Sequence, residues 1–197
     1  MNTDLTWIIF LAISILLAFI FGIIFGKTGI LNEDNKKISK WMKYAIGVVV
    51  FGVLSILGTA FSASFNGVLL NIRDFPPIAG GLWFGPVIGI GAGVIGAAYR
   101  VTAGGVTVIP CTIATLLAGI LAAVVYIWFK KTGKQMTILV TVLTAVVLEL
   151  IHLLLVTLLV SDGLSIACGP AGIGTLVSAV AAVFVFSLAY RISSKKA

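Results

Sequence analysis

An all-α integral membrane protein, a polytopic helical bundle with a short glycine-rich helical hairpin, is the fold class this sequence predicts. Three observations carry that reading. Of 197 residues, 60% are hydrophobic and only 10% charged, and the mean hydropathy is +1.23, a balance foreign to soluble domains. Five apolar runs reach the roughly 20 residues that a bilayer crossing needs at 1.5 Å per residue. The lysines gather in short loops, as cytoplasmic loops do, so the net charge of +7 requires no nucleic-acid partner.

The first run, 5–25, follows Asp4 with no basic residue before it. A secretory signal peptide would begin with positive charge, so residues 1–26 are expected to be a retained leading helix. Residues 27–197 then form the membrane domain, with further spans at about 42–65, 108–129, 136–160 and 170–190. Lys27, Lys36, Lys37, Lys40 and Lys43 mark one cytoplasmic loop, and Lys130, Lys131 and Lys134 mark another. Arg191, Lys195 and Lys196 place the C-terminal tail on that same side.

With all three clusters inside, the N-terminus lies outside and the C-terminus in the cytoplasm. A single crossing by 76–99 would force the second and third clusters outside. That segment is therefore expected to be a hairpin, entering and leaving by the outer face and turning at Gly85–Pro86, where glycine and proline break a helix. Its glycines allow close packing of the two arms, as small residues do in membrane bundles. Arms of roughly 10–14 residues reach about 15–21 Å, short of a full crossing. The depth of the turn stays open.

This topology brings Arg73, before the hairpin, and Arg100, after it, to the outer face. A guanidinium is costly in a membrane chain, so two of them bracketing a glycine-rich segment suggest an anion site. Cys111 and Thr112 open the next helix from the same face, and three helices start there, each with proline near its first turn (Pro76–Pro77, Pro110, Pro170). The positive ends of their dipoles add to the field. Glu149 and His152, three apart, share a face of the 136–160 helix. Glu149 lies about 22 Å along it from Lys134, where a carboxylate needs a partner, Arg100 or His152.

Together Asn71-Ile72-Arg73, the Gly81–Gly89 run with Gly85-Pro86, Tyr99-Arg100 and the Gly104-Gly105 loop, a basic loop and a Glu-bearing helix resemble the LytS-type five-transmembrane receptor domain. The resemblance spans roughly residues 40–191. More distantly, the hairpin layout looks like the S components of energy-coupling-factor vitamin transporters. The receptor resemblance implies a membrane sensor of histidine kinases and diguanylate cyclases, binding a small extracellular signal, in some members a carboxylate such as pyruvate. It implies that Arg73 and Arg100 grip the carboxylate and that Cys111 lines the pocket. Pyruvate-sensing members carry a small hydroxyl residue three beyond the cysteine. Here that position is Ala114, leaving Thr112 or Thr115 to substitute and the ligand open. Thr175 stands where an asparagine is expected. Only six residues follow Arg191, so a cytoplasmic signalling partner or a fused output domain outside this chain is expected to carry the signal.

The expected ligand site is thus Asn71, Arg73, Arg100, Cys111, Thr112, Thr115, Glu149 and His152. No catalytic set, metal set or cofactor is expected, and no enzymatic activity. The expected partners are a small anionic ligand, the lipid bilayer and a second copy of the chain. Competing readings remain beside these. Both arginines also suit headgroup anchors, Glu149–His152 a structural polar pair, Cys111 a packing residue, and Cys111–Cys168 a disulfide. The alternative function is a substrate-binding membrane subunit of a small-solute uptake transporter.

Overall fold

The computed structural model describes the backbone of residues 3–65 and 68–194, and side chains outside 3–7 and 63–65. Lys195 and Lys196 of the tail signal lie outside the described residues. The described residues form eight helices in order: α1 (Thr3–Thr28), α2 (Lys40–Ala60), α3 (Phe75–Phe84), α4 (Pro86–Ala103), α5 (Val108–Lys131), α6 (Ile138–Leu159), α7 (Gly163–Cys168) and α8 (Pro170–Ser194). Two three-residue antiparallel strands, β1 (Ala63–Phe65) and β2 (Val68–Leu70), join α2 to α3 with Ala63 opposite Leu70.

Among the described residues, six helices are long and apolar enough to cross a bilayer: α1, α2, α4, α5, α6 and α8. α1 packs on α8, α8 on α6, α6 on α5, α5 on α4, and α4 on α2. This chain of neighbours wraps α3, nine of whose ten residues are buried. The rim opens between α1 and α2 into an apolar groove of about 490 Å³, with Phe10, Leu17, Leu54 and Phe61 on its walls. The outer surface suits lipid: Leu139, Leu143, Val147, Leu150, Leu154 and Leu158 form one exposed stripe along α6 at helical spacing.

The hairpin turns where expected. Gly85, at φ +96°, occupies a backbone region that L-residues avoid, and Pro86 opens α4. The expected arm lengths need correction, because α4 runs 18 residues, about 27 Å, and is itself span-length. Phe84, at the tip, lines a pocket with Lys40, Lys43 and Lys130, so the turn reaches the lysine-rich end of the bundle. An added Cβ on Gly89 would collide with the backbone of Gly81, and one on Gly119 with Gly89. Three backbones therefore cross at contact, and that contact admits only glycine.

The second span ends at Ala60, not at 65, because the chain turns into the strand pair. Asn66-Gly67, between the strands, is the strongest two-residue hairpin signal a sequence offers, and the apolar run masked it. At the lysine-rich end, the Phe25, Phe51, Phe84, Phe186 and Tyr190 rings stack into the aromatic core. α1 reaches α8 through Gly22 and Gly26, which lie against the backbone of Phe186 and Tyr190.

Candidate functional site

At the opposite end from the lysines, the first turns of α5 and α8, the residues leading into α3 and the inner face of α6 meet around a buried polar cluster. Arg73 and Asp74 arrive from the turn before α3. Asp74 caps α3, and the Arg73 backbone is held against α2, where the Ser55 hydroxyl donates to the Arg73 carbonyl at 2.9 Å. An added Cβ on Gly58 would come within 2.9 Å of the Arg73 nitrogen, so α2 sets this backbone directly. Asn71 Oδ1 accepts from the Arg73 N–H at 3.2 Å, an Asx turn that fixes the approach of the guanidinium.

Arg73 is wholly buried. Its Nε donates to the Thr115 hydroxyl at 2.6 Å and lies 3.5 Å from Asp74 Oδ1, and its Nη2 donates to the Cys111 carbonyl at 3.4 Å. The one hydroxyl hydrogen of Thr115 can go to Asp74 Oδ1 or to the Cys111 carbonyl. From α6, His152 Nε2 meets Cys111 Sγ at 3.2 Å. Its Nδ1 lies 2.9 Å from Asp74 Oδ2 and 3.4 Å from Glu149 Oε2, close enough for ion pairing but outside hydrogen-bond geometry. Arg73 Nη1 and both Glu149 oxygens are buried without a hydrogen-bond partner among the described residues. Orphaned donors and acceptors of this kind are rare and cluster where chemistry or binding occurs.

Beside the cluster is a small cavity of about 20 Å³, room for about one water. Asn71, Thr107, Cys111, His152 and Thr175 supply its polar wall, and β2, α7 and α8 its apolar side. Thr175 Oγ1 accepts from the Asn71 N–H at 3.4 Å, which ties α8 to the turn before α3.

The eight expected residues divide by position. Asn71, Cys111 and His152 line the cavity, while Arg73, Thr115 and Glu149 stand with Asp74 in the cluster. Arg100 is buried one step away: Nη1 donates to the Gly104 carbonyl, Nη2 reaches Thr107 Oγ1 at 3.2 Å, and Nε is unpartnered. Neither arginine lines the cavity. Each instead grips a threonine, Arg100 at Thr107, the N-cap of α5, and Arg73 at Thr115 within it, eight residues apart with Cys111 between them.

One expectation is corrected and two open alternatives are decided. Thr112 is half-buried, donates to the Val108 carbonyl at 2.7 Å and points away from the cluster. Glu149 pairs with His152 and not with Arg100. Both cysteines are free, Cys111 buried and Cys168 exposed. Asp74, not among the expected site residues, is the central acceptor. Asp74, Glu149 and His152 also place ligand atoms within 4.8 Å of one another, a set able in principle to hold a cation. Arg73 Nε at 3.5 Å opposes a second positive charge there.

A multi-pass helical membrane bundle with a charged cluster buried at one end is the class of protein that fold and site define. The family model 5TM-5TMR_LYT, described as "5TMR of 5TMR-LYT", matches residues 27–167, and the chain belongs to this LytS-type five-transmembrane receptor family. Sensor protein LytS of Bacillus cereus is 31% identical over 103 residues, 52% of this chain and 18% of that protein. Sensor histidine kinase BtsS of Escherichia coli is 33% identical over 86 residues, 44% of this chain and 15% of its own length. Sensor histidine kinase YpdA of the same organism is 33% identical over 87 residues, 43% and 15% respectively. The chain thus spans less than a fifth of each of these relatives. No solved structure matches it.

Proposed function

We propose that this chain is a signal-sensing membrane module that binds a small carboxylate, pyruvate-like in size, at the α3–α5–α6–α8 end and passes the signal to a cytoplasmic output domain or partner. The observation that carries the reading is Arg73. It is a fully buried guanidinium with one nitrogen unpartnered, held behind Asn71 and Cys111, which line a cavity where the first turns of α5 and α8 converge. Anions are favoured by helix N-termini and bound by paired guanidinium donors. Relatives named as sensor proteins and sensor histidine kinases support the signalling part of the reading.

The cavity is smaller than a three-carbon acid, so binding has to part α5, α6 and α8. A ligand shifts such an equilibrium only by its differential affinity for the two packings. Arg73 is already engaged by Asp74 and Thr115. An incoming carboxylate therefore competes with Asp74, and Asp74 is free to turn fully to His152. That exchange is the switch.

Three-carbon carboxylates are expected to raise the melting temperature of the detergent-purified protein saturably. Neutral amides of equal size are expected to leave it unchanged. Arg100→Ala, which frees the Thr107 hydroxyl on the cavity wall, should weaken the apparent affinity by up to about tenfold through that residue. Absence of a shift with every small carboxylate, or accumulation of the carboxylate inside proteoliposomes, would overturn the sensor reading.

Orientation has its own probe. With the N-terminus outside, Cys168 lies at the outer face, and it is exposed while Cys111 is buried. A membrane-impermeant maleimide is expected to modify Cys168 on intact cells and to spare Cys111 until denaturation. Labelling of Cys168 only after cell lysis would reverse the proposed topology.

A further inference from the structure

At the other end of the hairpin lies a second polar pocket that the sensing site does not use. It has a volume of about 290 Å³ and is floored by Phe84 and Ile88, on either side of the turn at Gly85. Lys40, Lys43 and Lys130 stand on its walls with a single carboxylate, Glu33. Lys43 is buried, and its Nζ donates to the carbonyls of Asn32 at 2.7 Å and Glu33 at 3.2 Å, fastening the α1–α2 loop over the pocket. Lys130 pairs with Glu33, and the Tyr126 hydroxyl donates to the same carboxylate at 3.0 Å. The hydrogen bond from Lys130 holds the Glu33 carboxyl below its ordinary value, so the carboxylate is charged. Lys40 lies over the Tyr44 ring at 5.7 Å, with no carboxylate against it among the described residues.

Of the helices that begin at this end, α2 and α4 line the pocket and direct their positive dipole ends toward it. Three ammonium groups against one carboxylate leave a net surplus of two positive charges in a recess between spans. Trp41, which is 81% exposed, and Trp128, at 54%, flank this end at the level where aromatic side chains meet lipid headgroups. Basic recesses of this kind between membrane helices suit phosphorylated headgroups.

We infer that the recess formed by Lys40, Lys43, Lys130 and the hairpin tip is a phosphate-oxyanion site, filled by the headgroup of an anionic lipid or by a free phosphate. Lys40 and Lys130 contact the anion, and Lys43 shapes the recess while contributing its charge. Glu33 competes with the anion for Lys130. An occupied site braces Phe84, and with it the turn of the hairpin whose far end carries Arg73.

The test uses the purified full chain in neutral detergent. Native mass spectrometry measures retention of phosphatidylglycerol against phosphatidylcholine, and a melting-temperature titration uses inorganic phosphate. Wild-type protein is expected to retain phosphatidylglycerol preferentially, to be stabilised by phosphate, or both. Lipid retention without a phosphate effect assigns a headgroup site, a phosphate effect alone assigns a free-anion site, and either supports the inference. Lys40→Gln and Lys130→Gln should each weaken retention about fivefold, the value of one lysine near an anionic surface. Glu33→Gln releases Lys130 and should strengthen it. That opposite sign is not expected of a purely structural ion pair, and it remains measurable if a lysine variant fails to fold. Equal retention of the two lipids together with no phosphate effect would overturn the inference. So would a wild-type signal, lipid retention or phosphate stabilisation, left unchanged by Glu33→Gln and by both lysine variants.

Discussion

Arg73→Ala is expected to remove about 3–5 kcal/mol of fold stability, the loss found when one partner of a buried ion pair is deleted. Asp74 is 2% exposed, and Arg73 is its principal cation. Without the guanidinium, Asp74 and Glu149 are left with only His152 to compensate them. Thr115 Oγ1 loses its donor, and the Cys111 carbonyl loses one of its contacts. The measurement is the denaturation midpoint in detergent, together with the yield of folded protein. Arg73→Lys keeps the charge but not the planar fork that reaches Thr115 and Cys111 at once, so it should recover only part of the loss.

The paired variant Arg73→Met/Asp74→Asn separates stability from binding. Replacing both members of a buried ion pair by neutral groups is often tolerated, so most of the stability should return. Carboxylate-dependent stabilisation should not return, because the donor proposed to receive the ligand is gone. Recovery of both in the double variant would place the ligand elsewhere. A midpoint within 1 kcal/mol of wild type for Arg73→Ala would mean that Asp74 is already neutral or solvated.

The contrast between local and tertiary information is plain in this cluster. Glu149 and His152 were legible because three residues along a helix share a face. The hairpin was legible because Gly85-Pro86 breaks a helix wherever it occurs. Thr115 is expected beside Thr112, and spacing alone could have chosen between them. Thr107, Cys111 and Thr115 repeat every four residues and so face one way, whereas Thr112 is turned about 100° from Cys111. Asp74 was not legible as the centre of the site. Its neighbours His152 and Thr115 come from α6 and α5, and only the packing of α3 inside the bundle brings them together. Six of the expected site residues fall in or beside the cavity for local reasons. The contacts that join Arg73, Asp74 and His152 are a property of the folded assembly.

Gly89→Val is expected to be the most damaging substitution in the hairpin, because the contact it breaks is backbone against backbone. A Cβ at Gly89 runs into the Cα and nitrogen of Gly81 and lies 3.2 Å from the Pro77 carbonyl, while Gly119 of α5 approaches the Gly89 carbonyl from the other side. No rotamer change relieves overlap with a main chain, so α3 and α4 must separate along their length. Overpacking a core costs about 1–3 kcal/mol when side chains can give way, and this position belongs at or above the upper end. Gly47 supplies the comparison, since an added methyl there overlaps the Ile88 side chain, Cδ1 and Cγ1, and no main-chain atom. Gly47→Ala should therefore cost about 1–3 kcal/mol, the range of side-chain overpacking, and Gly89→Ala should cost clearly more. The functional consequence follows from the geometry: α3 carries Asp74 at its cap, with Arg73 just before it, and parting it from α4 moves both away from Thr115 and His152. Gly89→Ala should weaken carboxylate binding even at temperatures where the protein is folded. Wild-type affinity in a folded Gly89→Ala protein would show that the hairpin does not set the cluster.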